Sequence, residues 1–192
     1  MMLPVFLGAF ASPDDLPKGY DRLFVCIGRS NVGKSSLVNA LTKSSISRTS
    51  RTPGRTQTIN AFSVGPKTML VDLPGYGFAK HAQEKRALLE TRIYDTLTKL
   101  APTSIFLLID AYVGLTRLDT EMLTFLNEEG LPYVVLANKV DRLNQKERAL
   151  QERAIRAELG AHIPVVFCSS VKETGLGDIR ELLNRMTKKT PS

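Results

Sequence analysis

Apolar residues along this 192-residue chain follow two alternating rhythms. Short unbroken runs of strand length are followed by longer stretches with apolar residues three and four positions apart. Leu23-Phe24-Val25-Cys26-Ile27 is the first clear run, ending at Gly28 as a parallel strand buried on both faces does. A helix is expected from near Gly33-Lys34, turning Leu37, Val38 and Leu41 inward. Ile59 to Val64 and Thr68 to Asp72 read as two strands joined by the turn Gly65-Pro66. Residues 83–100 read as an amphipathic helix through Leu88, Leu89, Ile93 and Leu97. Strands at 104–110, 132–138 and 164–168 then alternate with helices near 117–129, 144–159 and 177–188. The rhythm predicts an α/β fold of three layers, a mostly parallel six-stranded sheet with helices on both faces.

One stretch breaks it. Residues 43–57 are rich in Ser, Thr, Arg, Pro and Gly with no apolar period, a loop long enough to suggest function. The apolar start, Met1 to Ala11, lacks a positively charged beginning, carries Pro4 and runs into Asp14 and Asp15. It reads as a lead-in (1–22) packed on the edge of one domain (23–188), followed by a frayed tail (189–192), rather than as a signal peptide.

Composition adds three constraints. The longest apolar runs, such as Ile105 to Ile109, fall far short of the roughly 20 residues that span a bilayer, so no membrane role is expected. Cys26 and Cys168 form no CxxC pair and read as reduced, buried thiols, with a cytoplasmic location as the default. Lys and Arg number 26 against 19 Asp and Glu, a net charge of +7 that favours an acidic partner such as nucleic acid. A solvated basic face is the alternative.

The chemistry lies where strands end. Gly28-Arg29-Ser30-Asn31-Val32-Gly33-Lys34-Ser35 is a complete GxxxxGKS between a strand and a helix. Its glycines let backbone N–H groups turn around a phosphate, and the helix N-terminus adds positive potential. Lys34 would reach the β- and γ-phosphates and the Ser35 hydroxyl would ligate Mg2+. Asp72 closes a strand facing this loop, as a second magnesium contact should, and opens Asp72-Leu73-Pro74-Gly75, where the Gly75 N–H would meet the γ-phosphate. Asn138-Lys139-Val140-Asp141 follows another strand. Guanine presents N1–H and an amino group side by side; the Asp141 carboxylate can accept both, whereas adenine offers no such pair of donors. Asn138 would organise the loop, and the Lys139 stem would lie over the ring. Cys168-Ser169-Ser170 stands where backbone N–H groups would close the base pocket, a helix-capping turn being the other reading. Together these motifs predict a P-loop NTPase of the Ras-like G-domain type that binds GTP and GDP.

GRSNVGKSSLVNAL, then TPGRTQ at Thr52 to Gln57, DLPGYGFAK at Asp72 to Lys80, and NKVD resemble the EngB bacterial GTPases, within the wider group of Era, tRNA-modifying GTPases and septins. The resemblance runs from about Leu23 to the end; Cys168 departs from it, standing where a Phe is more usual. It implies that Thr56 is the switch threonine, a second magnesium ligand when GTP is bound. Gly54, Arg55, Thr56, Gln57 and Thr58 would then close over the nucleotide, with Lys34, Thr56 and Gly75 as the catalytic set. It further implies a role in assembly of the large ribosomal subunit and a requirement for normal cell division and septation.

Ras-like enzymes place a water-orienting glutamine just after DxxG. Tyr76 stands there, able to donate one hydrogen bond but not to position water as a carboxamide does, so slow intrinsic hydrolysis is expected. Asn31 occupies the position of an asparagine that helps hold K+ in related potassium-stimulated GTPases; capping local backbone is the other reading. Lys43, Arg48, Arg51 and Arg55 crowd the first switch loop, and Lys80, His81, Lys85 and Arg86 the second. RNA affinity that follows nucleotide state is one reading of those charges, solubility the other. Arg185, Lys188 and Lys189 decorate the last helix. Two function classes follow for an expected monomer: a switch in ribosome assembly driven by hydrolysis, or a nucleotide-responsive rRNA-binding module in which hydrolysis is dispensable.

Overall fold

Strand β2 (Arg22–Gly28) sorts its side chains by parity, and that sorting builds the domain. Phe24 and Cys26 point into one core, Val25 and Ile27 into another, all fully buried. The computed structural model describes residues 4–43, 58–77 and 83–185, with 83–90 and 185 described in their backbone alone. Its other strands are β1 (Val5–Phe10), β3 (Ile59–Gly65), β4 (Thr68–Asp72), β5 (Ser104–Asp110), β6 (Tyr133–Asn138) and β7 (Val165–Phe167). Its helices are α1 (Lys34–Thr42), α2 (Gln83–Leu100), α3 (Arg117–Glu128), α4 (Gln145–Leu159) and α5 (Leu176–Arg185).

Side chains from α2, α3 and α4 (Ile93, Leu97, Met122, Leu126, Ile155 and Leu159) join Val25 and Ile27. Leu37, Val38 and Leu41 of α1 and Leu176, Ile179 and Leu183 of α5 join Phe24 and Cys26. Helices therefore cover both faces, and β5, central between them, is buried at all seven positions. Arg180 of α5 also donates from Nη2 to the Ala40 carbonyl at 2.8 Å, fixing the two helices of the second layer.

The sheet runs β1-β3-β4-β2-β5-β6-β7. Strands β4, β2, β5, β6 and β7 are parallel, while β3 pairs antiparallel with both β4 and β1. Among the described residues there are thus seven strands where periodicity gave six. The extra one comes from the lead-in, where Gly8 and a register shift between Phe6 and Gly8 blur the period-two pattern. β7 is shorter than expected, leaving Cys168 just beyond its end. Both cysteines are free and buried, and burial pushes the Cys168 thiol up to about 12.

Chain order reverses direction at β2, which has β4 on one side and β5 on the other. A crevice outside the carboxyl ends of the strands at such a point is the usual ligand position in open α/β sheets. Residues 28–35, 72–75 and 138–141 all follow the carboxyl ends of parallel strands there. Gly54, Arg55, Thr56 and Gln57 lie outside the described residues, as do Arg48, Arg51, Lys80, His81, Lys188 and Lys189. Thr58 is described and leads directly into β3. No helix among the described residues is long and apolar enough to cross a membrane.

Candidate nucleotide site

The helix α1 begins without a side-chain cap. Its N-cap is Gly33 in the left-handed region, whereas α4 carries a reciprocal capping pair, Asn144 with Glu147. Uncapped N–H groups and the positive end of the α1 dipole therefore face the loop 28–33, as an anion site requires. Lys34 opens the helix and is 8% exposed, a buried ammonium in need of an anionic partner.

Asp72 provides part of that charge. Its Oδ2 accepts from the Ser35 hydroxyl at 3.3 Å, while Oδ1 is buried with no hydrogen-bond partner. Burial raises the Asp72 pKa above its usual range, opposed by the Lys34 charge and the Ser35 hydroxyl. An orphaned carboxylate oxygen beside a serine hydroxyl at the mouth of a phosphate loop is an all-oxygen donor set that suits Mg2+. Gly75 packs close by: a Cβ there would lie 3.0 Å from Lys34 Nζ and 3.0 Å from the Ser30 backbone, so no larger residue fits without moving the loop.

A second group of contacts binds the base-side loop to the phosphate loop. Asn138, fully buried, donates from Nδ2 to the Val32 carbonyl at 3.0 Å and accepts from the Ser170 amide at 3.1 Å. Lys139, in the left-handed region at φ 71°, donates from Nζ to the Asn31 carbonyl and to Asp110 Oδ2, both at 2.7 Å. Val140 is buried below them, and Asp141 accepts from the Ser169 hydroxyl. That hydroxyl in turn accepts from the amides of Val171 and Lys172. Asp141 is thus oriented by a chain of donors while remaining exposed to an incoming base.

The amides expected to close the base pocket are engaged internally. Cys168 donates to Ala137, Ser169 to Thr174 and Ser170 to Asn138. In this structure the segment orients Asn138 and Asp141. Asn31 adopts φ 66° and is exposed, with its carbonyl held by Lys139. Tyr76 is 2% exposed and its hydroxyl donates to Asp119 Oδ1 at 3.2 Å, so it does not face the phosphate loop as a water-holding group. Arg29 also turns away from a phosphate, pairing through Nε with Asp119 at 3.1 Å.

Asp110 and Asp119 organise the site without belonging to any motif. Asp110 closes a strand and Asp119 stands in the first turn of a helix, both common places for an ordinary aspartate. Nothing in the local sequence marks their partners 29 and 90 residues away.

Gly33→Ala is expected to destabilise the nucleotide-free protein by about 1–3 kcal/mol. The position has φ +102°, and the added Cβ would stand 2.4 Å from Asn138 Nδ2, breaking the tie to Val32. Equilibrium denaturation checks it; unchanged stability would mean the two loops are not coupled through this bond.

A family model described as a 50S ribosome-binding GTPase matches residues 24–139, and one described as the elongation factor Tu GTP-binding domain matches residues 96–192. A probable GTP-binding protein EngB of Mesomycoplasma hyopneumoniae (strain 7448) is 44% identical over 165 residues, 85% of this chain and 81% of its own. Its counterpart in Aquifex aeolicus (strain VF5) is 38% identical over 188 residues, 94% of this chain and 97% of its own. Among solved structures, a probable GTP-binding protein EngB superposes with TM-score 0.70 at 22% identity, covering 85% of this chain and 97% of its own. Era in complex with MgGDPNP and a segment of 16S ribosomal RNA superposes with TM-score 0.68 at 21% identity, covering 89% and 58%. At such identity the solved structures speak for the fold alone.

Proposed function

Because the chain belongs to the EngB family of GTP-binding proteins, we propose that it is a magnesium-dependent GTPase of low intrinsic rate, working as a switch in assembly of the large ribosomal subunit. A requirement in cell division and septation would follow from that work. The observation that carries the chemistry is the unpaired, buried Asp72 Oδ1 beside the Ser35 hydroxyl, under the buried Lys34. Mg2+ held here would supply positive charge beside the phosphates. Ser35 and Thr56 would ligate it and Asp72 would complete its surroundings. Lys34 and the Gly75 N–H would hold the γ-phosphate, with the loop Gly28 to Gly33 around the others. Asn138, Lys139 and Asp141 would read guanine. Leu73 and Pro74 would set the turn that presents Gly75, and residues 54–58 would close over the nucleotide.

Support for a ribosomal partner comes from the family model's own description, the RNA bound by the structurally similar Era, and the net charge of +7. A cytoplasmic monomer is the corresponding setting. K+ beside Asn31 would supply the positive charge that an arginine finger supplies elsewhere.

A second reading is favoured by Tyr76. With its hydroxyl committed to Asp119, the position after DLPG offers nothing to orient water, which suits a binding module whose hydrolysis hardly matters. GTP hydrolysis with and without large-subunit precursors, each in K+ and in Na+, separates the two. The switch predicts stimulation by the particles, and a K+ requirement would give Asn31 its role. Thr56→Ala should leave precursor particles trapped in cells if hydrolysis drives release. Intact complementation by that variant, with flat rates in all four conditions, would leave the binding module standing.

A further inference from the structure

One buried carboxylate outside every nucleotide motif gathers three parts of the site. Asp119, in the first turn of α3, is fully buried. Its Oδ2 accepts from the Thr116 amide at 3.0 Å, the Thr116 hydroxyl at 2.7 Å and Arg29 Nε at 3.1 Å. Its Oδ1 accepts from the Tyr76 hydroxyl at 3.2 Å and from the same Arg29 Nε at 3.3 Å. Capping α3 accounts for the Thr116 contacts. It does not account for a guanidinium from the phosphate loop and a phenol from the segment after DLPG meeting on one desolvated carboxylate. Burying that charge is costly unless several donors hold it in place.

The backbone repeats the connection. Arg29 and Tyr76 form an isolated parallel bridge, and the Ser30 amide donates to the Tyr76 carbonyl at 2.9 Å. Tyr76 is therefore held at both ends, by its carbonyl on the phosphate loop and by its hydroxyl on α3. Burial and the neighbouring Asp119 charge raise the Tyr76 pKa, so the phenol stays a donor across the working pH range. Gly75 precedes it by one residue and lies so close to the phosphate loop that an added Cβ would stand 3.0 Å from Lys34 Nζ and from the Ser30 backbone.

The γ-phosphate alone distinguishes GTP from GDP, and in the function proposed above, on which this inference rests, the Gly75 amide and Lys34 meet it. We propose that Asp119 is a positioning residue for that contact: by clamping Tyr76 to Arg29 it holds the Gly75 amide at the mouth of the phosphate loop and so sets how tightly GTP is held relative to GDP. Arg29 and Ser30 also belong to the phosphate loop, so the ratio of GTP to GDP affinity, rather than either affinity alone, reads the clamp's hold on Gly75. The clamp also gives Tyr76 a job different from the glutamine it replaces.

The test uses the full chain with Mg2+, measuring affinity for GDP and for a non-hydrolysable GTP analogue in the parent, Tyr76→Phe and Asp119→Asn. Tyr76→Phe removes one hydroxyl and keeps the packing, so it remains informative if Asp119→Asn fails to fold. Its affinity for the analogue is expected to fall about fivefold to tenfold with GDP affinity held within about twofold, a part of what one hydrogen bond to a charged acceptor contributes, since the contact acts on the phosphate through Gly75. Single-turnover hydrolysis should fall in parallel. Equal losses for both nucleotides would mark the cluster as merely structural and overturn the proposal. An unchanged or increased preference for the analogue in folded Tyr76→Phe would overturn it too. A parent that binds neither nucleotide overturns the underlying function and the clamp together; a parent that binds both, with variants that keep its ratio, overturns the clamp alone.

Discussion

Asp141→Asn should lower affinity for GDP and GTP by about a hundredfold or more while raising affinity for the corresponding xanthosine nucleotides. Guanine offers two adjacent donors, N1–H and the exocyclic amino group, to a carboxylate that can accept both. In this structure Ser169 holds one oxygen of Asp141, and the Ser169 hydroxyl is itself fixed by the amides of Val171 and Lys172. The acceptor is therefore oriented before the base arrives, and little ordering is left for binding to supply. An asparagine keeps the shape but turns one acceptor into a donor, which faces the guanine amino group donor to donor. Xanthine carries a carbonyl at that place, so the amide then matches it. Titrations with GDP and with xanthosine diphosphate give the comparison. If Asp141→Asn retained GDP affinity within a few-fold, the base would have to be read elsewhere in the chain, and NKVD would lose its assignment.

The fold was legible because its apolar rhythm is strong where it matters. Phe24 to Ile27 are buried on both faces, and the helix read over 83–100 has the same bounds as α2. The lead-in was harder: β1 is an edge strand, mostly half-buried, interrupted by Gly8 and a register shift, so it shows neither a clean alternation nor a solid apolar run. In the site, motif spacing placed each phosphate- and base-side segment at the end of its own strand. Spacing could not reveal who holds whom. The contacts of Asp110 with Lys139 and of Asp119 with Arg29 and Tyr76 depend on β5 lying between β2 and β6, a fact of topology rather than of local sequence. The same limit applied to Ser169 and Ser170, whose amides looked available and are engaged.

Asp72→Asn should separate stability from function by moving them in opposite directions. In the nucleotide-free protein the carboxylate is buried, and desolvation outweighs the attraction of Lys34 and the Ser35 hydroxyl, so its pKa stands above the unfolded value. A raised acid destabilises the fold when charged: the cost is fully present above the folded pKa and is relieved as pH falls through it. Removing the charge should therefore stabilise the protein in EDTA at neutral pH, a difference that shrinks as the parent is acidified. Magnesium-dependent GTP affinity should fall by about a hundredfold, since the amide cannot supply the negative charge that the ion and its water shell need. Tolerating an orphaned charged oxygen at the foot of a phosphate loop makes physical sense where a cation completes it. Thermal unfolding in EDTA, with GTP binding titrated against Mg2+, reads both halves. A variant that lost stability and affinity together would make Asp72 a structural support for β4 and Ser35, and the magnesium assignment would have to rest on Ser35 and Thr56 without it.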